Sequence, residues 1–184
     1  QEQLADLEWV FLGGQEPWWK RRALEGLYEG AIHQIDAEIR RLVEELSARG
    51  SLEETLVVIT SDHGEGFGER DEIRDRRIAE HGVSINEEVV HVPLLVHYPG
   101  QSAGELIEDP VTLTRFPAVV KGLLDDEEAG ERFLTDERVR VSAVGLTDSL
   151  KKRASQWVSD LSPFTSTSRA VFEVSDGEIH KYLS

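Results

Sequence analysis

Two adjacent side chains, Asp62 and His63, are the residues in this sequence best suited to bind a metal ion. They follow an apolar, β-branched run at residues 56–60, with Ser61 between, and precede Gly64. A carboxylate supplies a hard oxygen ligand, whereas an imidazole nitrogen suits Mn, Zn or Fe better than Ca. The pair therefore predicts a metal site. The structural alternative is a salt-bridged histidine that caps the next turn.

A third candidate is His81, which follows a strongly charged stretch of the chain. Because histidine changes its charge near neutral pH, this side chain can donate a proton to a reacting group or bind an anion in the same pocket. The alternative is an exposed loop histidine without a chemical role. Of the other histidines, His91 and His97 lie in or beside an apolar run and are expected to be structural, whereas His33 and His180 have no evident partner.

The strand predicted at residues 55–60 would position the first pair of side chains. A continuous apolar run of this kind is typical of a parallel strand that is buried on both faces. Open α/β sheets hold their ligands at the carboxyl ends of such strands. Gly64, Gly66 and Gly68 would let the following loop turn tightly and approach a ligand closely. The sequence therefore places Asp62 and His63 at a ligand-binding edge.

The rest of the chain predicts helices and strands around that edge. Apolar residues at helical spacing indicate a long helix over residues 21–49, with Gly50 as its C-cap. Further along we expect a solvated charged excursion at 69–80, a second apolar run at 89–96, a short strand and helix at 111–124, an acidic linker at 125–137, a strand at 139–144, a helix or turn at 151–161, and a hairpin at 169–183 with an Asp-Gly turn. This order indicates an α/β layer architecture.

Composition excludes some classes of function. The chain of 184 residues carries 36 acidic and 20 basic residues, a formal net charge of −16. Such a charge opposes general nucleic-acid binding, which depends on basic side chains neutralising phosphates. It favours adaptation to high salt, the alternative being an ordinary soluble acidic domain. The absence of cysteine excludes disulfides, thiolate metal sites and a cysteine nucleophile within these residues.

Length and hydropathy favour one domain with no transmembrane segment and no signal peptide. Because the chain contains no methionine, we expect it to be either processed or part of a longer protein.

Several motifs occur together in an order that resembles the later half of sulfatase catalytic domains, within the alkaline phosphatase superfamily. These are Tyr28 and Asp36 on the long helix, the run Thr-Leu-Val-Val-Ile-Thr-Ser-Asp-His-Gly-Glu at 55–65, His81-Gly82, and Val-Pro-Leu-Leu-Val-His-Tyr-Pro-Gly at 92–100. The resemblance is strongest over residues 28–100. It is weaker beyond 111, where 111–122 and the closing hairpin resemble later family segments. The chain would then be the later portion of one catalytic domain.

This resemblance implies a fold and a site. The fold would be α/β, with a mixed, largely parallel sheet flanked by helices, incomplete here, and a small C-terminal β-hairpin region. Asp62 and His63 match two metal ligands of the family, for which Ca, Mn or Mg is implied, and the imidazole favours Mn. His81 matches the position that contacts the sulfate or phosphate group and assists the leaving group. The implied substrate is a sulfate ester, with a phosphate or phosphonate ester as the alternative.

The sequence also departs from the family pattern. The family nucleophile, a formylglycine, serine or threonine, lies in a Cys/Ser-x-Pro-x-Arg motif preceded by further metal-binding aspartates, and neither feature occurs in these residues. We therefore expect the chain to be inactive in isolation. A non-catalytic degenerate homologue is the alternative. A nucleotide-binding or response-regulator-like sheet is disfavoured because no glycine-rich phosphate loop follows the first strand.

Overall fold

The computed structural model describes residues 18–71, 73, 77–78, 81–125, 133, 138–156 and 158–184. The helices are α1 (Trp18–Ala48), α2 (Glu87–Val90), α3 (Phe116–Leu124) and α4 (Asp148–Ala154). The strands are β1 (Val57–Thr60), β2 (Glu69–Arg70), β3 (Arg77–Ile78), β4 (Leu94–His97), β5 (Val139–Ala143), β6 (Ser168–Ser175) and β7 (Glu178–Leu183). Short 3₁₀ turns lie at Leu52–Glu54, Leu113–Arg115 and Ser162–Phe164.

The long helix α1 begins three residues before the predicted start and ends one residue before the predicted end. Its C-terminus closes as a Schellman motif. The backbone N–H of Gly50 donates to the carbonyl of Ser47 and that of Ser51 to the carbonyl of Leu46, both at 2.9 Å. Gly50 has a φ of +70°, a conformation that glycine adopts without steric cost. The local signals at this end of the helix therefore predicted its geometry correctly.

The strand before the candidate site pairs differently from the expectation. β1 pairs antiparallel with β4, with Val57 opposite His97 and Thr60 opposite Leu94. No residue of β1 is buried, so the strand is not covered on both faces by this chain. Val89 and Val90, expected within a second apolar run, lie in α2. All strand pairs among the described residues are antiparallel, and the largely parallel sheet is not observed in them.

The excursion at 69–80 is only partly described, and its described part is not wholly solvated. β2 and β3 pair as a two-residue antiparallel ladder. Asp71, next to β2, is 1% exposed. The predicted linker at 125–137 falls mostly outside the described residues. Within it Phe133 is buried, and its ring stacks on that of Phe116 with centroids 6.3 Å apart.

The C-terminal part forms a three-stranded antiparallel sheet in the order β5–β6–β7. The predicted hairpin is confirmed. Asp176 and Gly177 join β6 to β7 with φ values of +56° and +78°, the backbone that a type I′ turn needs. Beside this sheet lies a small hydrophobic cluster, here called the Phe164 cluster, which consists of the buried residues Val83, Leu146, Ala154 and Phe164. Val83 comes from the loop that precedes α2, so the C-terminal part packs against that loop.

No helix within the described ranges is long and apolar enough to cross a membrane.

Candidate functional site

Asp62 and His63 stand directly beyond the carboxyl end of β1, as the sequence predicts. The carboxylate of Asp62 is 88% exposed. Its Oδ1 accepts the backbone N–H of His63 at 3.0 Å, and the hydroxyl of Ser61 donates to the carbonyl of His63 at 2.6 Å. These short local hydrogen bonds hold the backbone of the pair while Oδ2 of Asp62 points to the same side as the histidine ring.

The ring of His63 has a defined orientation. Its Nδ1 lies 2.8 Å from the carbonyl oxygen of Gly64. A carbonyl can only accept, so Nδ1 carries the proton and the neutral ring presents Nε2 as its lone-pair nitrogen. Nε2 lies 3.7 Å from Oδ2 of Asp62. Histidines that bind metals in proteins commonly donate their second ring N–H to a carbonyl in this way.

Gly64 fixes the pair against α2. Its backbone N–H donates to the carbonyl of Val89 at 2.8 Å. A Cβ atom at this position would overlap the carbonyl oxygen of Glu88. The glycine is therefore needed for a close approach, but in this structure it approaches the backbone of α2, whereas the sequence interpretation assigned that approach to a ligand.

His81 lies against His63, although 18 residues separate them in the sequence. The two rings stack with centroids 3.9 Å apart and an interplanar angle of 14°. His81 comes from the loop after the charged excursion, and its side chain is 48% exposed. The structure thus brings together all three residues that the sequence singled out.

Glu65 is a fourth member of this cluster that the sequence interpretation missed. Its Oε2 lies 3.0 Å from Nδ1 of His81, and its side chain is 28% exposed. Glu65 closes the same motif run as Asp62 and His63, which is a signal that it lies near them. Its pairing with His81, 16 residues away, has no counterpart in any local sequence pattern.

The loop that carries His81 is anchored by a buried polar group that was also missed. The hydroxyl of Ser84 donates to Oδ2 of Asp71 at 2.9 Å and accepts the backbone N–H of Asn86 at 3.1 Å. The side-chain amide of Asn86 donates to the carbonyl of Arg70 at 3.0 Å. Asp71, Ser84 and Asn86 are all buried. Because buried polar groups are costly unless they are hydrogen-bonded, this set fixes the two ends of the loop relative to each other.

Helix α1 contacts the loop that follows the site. The ring of Tyr28 meets that of Phe67 edge to face, with centroids 5.3 Å apart. Nη2 of Arg21 lies 3.3 Å from Oε1 of Glu69. The helix residue Tyr28, which belongs to the motif set, therefore supports the segment immediately after the glycine-rich turn.

The cluster fits a divalent cation in part. Asp62 offers an exposed carboxylate oxygen, and His63 offers a lone-pair nitrogen 3.7 Å away, a separation that one cation can span. Within the described ranges no group of three or more histidine, aspartate or glutamate side chains is arranged to hold a metal ion. The pair thus presents two donor atoms of the kind that bind a divalent cation, fewer than a complete metal site has.

Comparison with known proteins identifies relatives for this segment. A family model described as Sulfatase matches residues 13–125. The steryl-sulfatase of Mus musculus is 32% identical over 127 residues, which cover 65% of this chain and 20% of that protein. The ulvan-active sulfatase of Formosa agariphila is 33% identical over 106 residues, covering 56% of this chain and 19% of the relative.

A third relative, the multifunctional alkaline phosphatase superfamily protein PehA of Trinickia caryophylli, is 30% identical over 89 residues, covering 47% of this chain and 16% of PehA. The chain thus spans about a fifth or less of the length of these relatives. No solved structure matches the chain significantly.

Proposed function

Because the chain belongs to the sulfatase family, we propose that it forms part of a metal-dependent hydrolase of sulfate esters. The observation that carries this proposal is the cluster at the end of β1, where Asp62, His63 and His81 meet within the segment that matches the family. The names of two relatives, a steryl-sulfatase and an ulvan-active sulfatase, support sulfate esters as the substrate class.

In this proposal Asp62 and His63 hold a divalent cation, Mn, Ca or Mg, and the imidazole ligand favours Mn. The cation would neutralise negative charge on the ester group during its transfer. His81, stacked on His63 and half exposed, binds the anionic ester group or gives a proton to the leaving oxygen. The stack keeps His81 within reach of any group that is bound at Asp62.

The remaining parts of the site belong to residues outside this chain. The sequence contains no cysteine, so a formylglycine derived from cysteine would have to be supplied elsewhere, and the described residues hold no complete set of metal ligands. In this proposal the residues outside this chain also complete a larger, mixed and largely parallel sheet around β1. No residue of β1 is buried in the present structure. We accordingly propose that the 184 residues alone are inactive.

A phosphate or phosphonate ester is the second candidate substrate. It is favoured by the match to PehA, whose name describes a multifunctional protein of the alkaline phosphatase superfamily. Sulfate and phosphate esters both present an anionic tetrahedral group to a cation and a histidine, so this cluster suits either one. Relative turnover of 4-nitrophenyl sulfate and 4-nitrophenyl phosphate decides between them, measured on the longer protein of which this chain is proposed to be a part.

Metal binding tests the proposal. Calorimetry with Mn and with Ca on the longer protein should show that Asp62→Ala and His63→Ala each weaken binding by about 10-fold or more, since each removes a ligand. Asp109→Ala is the matched control, because Asp109 is an exposed loop aspartate that is not part of the cluster. Equal affinity in the wild type, Asp62→Ala and the control would overturn the enzyme reading in favour of a non-catalytic homologue.

A further inference from the structure

Two contacts restrain the ring of His81, and they do different things. The stack on His63 fixes the plane of the ring, with 14° between the two planes. A stacked ring can still flip by a half-turn about its Cβ–Cγ bond, which exchanges each nitrogen with a ring carbon, so the stack by itself does not fix where the two nitrogens lie. The hydrogen bond between Nδ1 and Oε2 of Glu65 fixes their positions.

The chemistry of the partner determines the state of the ring. An ionised carboxylate only accepts hydrogen bonds, so Nδ1 of His81 carries a proton toward Glu65. In the neutral ring Nε2 is then the lone-pair nitrogen, and in the cationic ring it is a donor. No described residue is hydrogen-bonded to Nε2 of His81. Glu65 therefore holds Nδ1 of His81 and leaves Nε2 as the nitrogen that no described residue engages.

The backbone of the His81 loop is held independently of Glu65. Two residues along the chain Val83 is 2% exposed in the Phe164 cluster, and the next residue, Ser84, is bonded to the buried Asp71. Loss of the Glu65 side chain should therefore leave the loop in place and free only the ring. This separation makes the role of Glu65 testable without unfolding the site.

We propose that Glu65 is a positioning residue for His81, one that fixes the nitrogen which the imidazole presents to the anionic substrate. This inference rests on the proposed function, in which His81 contacts the ester group. In this role Glu65 acts through the ring of His81 and does not need to touch the substrate or the cation. Fixing a proton donor or anion-binding group in one orientation lowers the entropic cost of reaching the transition state.

A double-mutant cycle in the longer protein tests the dependence on His81. Glu65→Ala should lower kcat/KM for an aryl sulfate by about 10-fold, which is less than the contribution expected for a general acid itself. If Glu65 acts through His81, the double variant Glu65→Ala/His81→Ala should be no slower than His81→Ala alone. Glu65→Gln keeps an acceptor oxygen and should recover most of the activity. Glu54→Ala, at an exposed glutamate before β1, is the control.

Two further measurements separate this inference from its rivals. Affinity for Mn should be unchanged in Glu65→Ala, whereas a metal-binding role for Glu65 would weaken it. Nitrogen NMR of histidine-labelled protein should report the Nδ1–H form of His81 in the wild type and in Glu65→Gln, and a changed form in Glu65→Ala.

Additive losses in the cycle, or an unchanged NMR signal in Glu65→Ala, would overturn the inference. If the wild type hydrolyses neither sulfate nor phosphate esters, the proposed function fails, and the NMR result still decides whether Glu65 orients His81.

Discussion

Helix α1 and the Phe164 cluster differ in whether their apolar residues are buried. α1 has 31 residues with apolar side chains at regular helical spacing, yet none of its residues is buried. Leu27 and Ile35, for example, are 71% and 58% exposed. The Phe164 cluster is built from short elements with weak sequence patterns, yet Phe164 and Ala154 are completely buried.

The difference shows that an apolar pattern and apolar burial are separate properties. Periodicity indicates which face of a helix is apolar, whereas stabilisation depends on the area that is removed from water, about 25 cal/mol per Å². Of these two regions, the Phe164 cluster should therefore contribute more to stability. This cluster also holds the loop of His81 through Val83.

The largest predicted effect is the removal of the central ring of the cluster. Phe164→Ala should lower the free energy of unfolding by about 3–5 kcal/mol, because it removes a fully buried aromatic side chain and leaves a cavity. Urea unfolding measures this change. Leu27→Ala on α1 is the matched control and should change stability by about 0.5 kcal/mol or less, as is usual at exposed positions. Equal costs at the two sites would remove the contrast between the regions.

Replacing a glycine by alanine should change stability by a smaller amount, and the sign of the change should differ between the two regions. A Cβ atom at Gly145 would overlap the carbonyl oxygen of Thr165, so Gly145→Ala should destabilise the chain by about 1–3 kcal/mol. A Cβ atom at Gly30 would meet nothing within 4 Å, so Gly30→Ala should stabilise α1 by about 0.5–1 kcal/mol through helix propensity. Thermal unfolding of the two variants gives the comparison. Destabilisation by Gly30→Ala would show that the open face of α1 is in contact with another part of the protein.

The features that sequence reasoning predicted well are those with local causes. The C-terminus of α1 follows from Gly50, and the β6–β7 turn follows from Asp176 and Gly177, because each needs a positive φ at a known place. The same reasoning did not give the environment of β1 in this structure: its apolar composition suggested burial on both faces, whereas none of its residues is buried here. Burial depends on what covers a strand, and β4 pairs only with its edge.

In the candidate site too, the features with local causes could be predicted from the sequence and the long-range contacts could not. Asp62 and His63 were predictable because they are adjacent and follow a strand, whereas the proximity of His81 was implied by a family resemblance. The hydrogen bonds from His81 to Glu65 and from Ser84 to Asp71 were not predictable, because each joins residues 13 or more positions apart. The charge of Asp71 suggested a solvated position, and only its specific partners make burial tolerable.

The smallest predicted effect concerns the ion pairs at the start of α1. Oε1 of Glu25 accepts from Nε of Arg21 at 2.8 Å and Oε2 from Nη1 of Arg22 at 2.9 Å. The hydrogen bond from Arg21, followed by that from Arg22, lowers the pKa of Glu25 below its ordinary value of 4.5. A carboxyl with a lowered pKa in the folded state stabilises the fold above its unfolded pKa. That stabilisation is lost as the pH falls through the folded value.

Glu25→Gln should therefore be slightly less stable than the wild type near neutral pH, and the difference should disappear in acid, once Glu25 is protonated in both the folded and the unfolded state. The effect should be small because exposed ion pairs contribute little, and it should shrink in high salt. Urea midpoints of the two proteins, measured from neutral pH down to about pH 3, show how their stability difference changes as the carboxyl of Glu25 is protonated. Glu29→Gln, which removes a carboxylate of α1 that forms no ion pair with a described residue, controls for loss of charge alone. A pH-independent difference for Glu25→Gln would show that the difference does not come from the charge of Glu25, and would overturn the prediction.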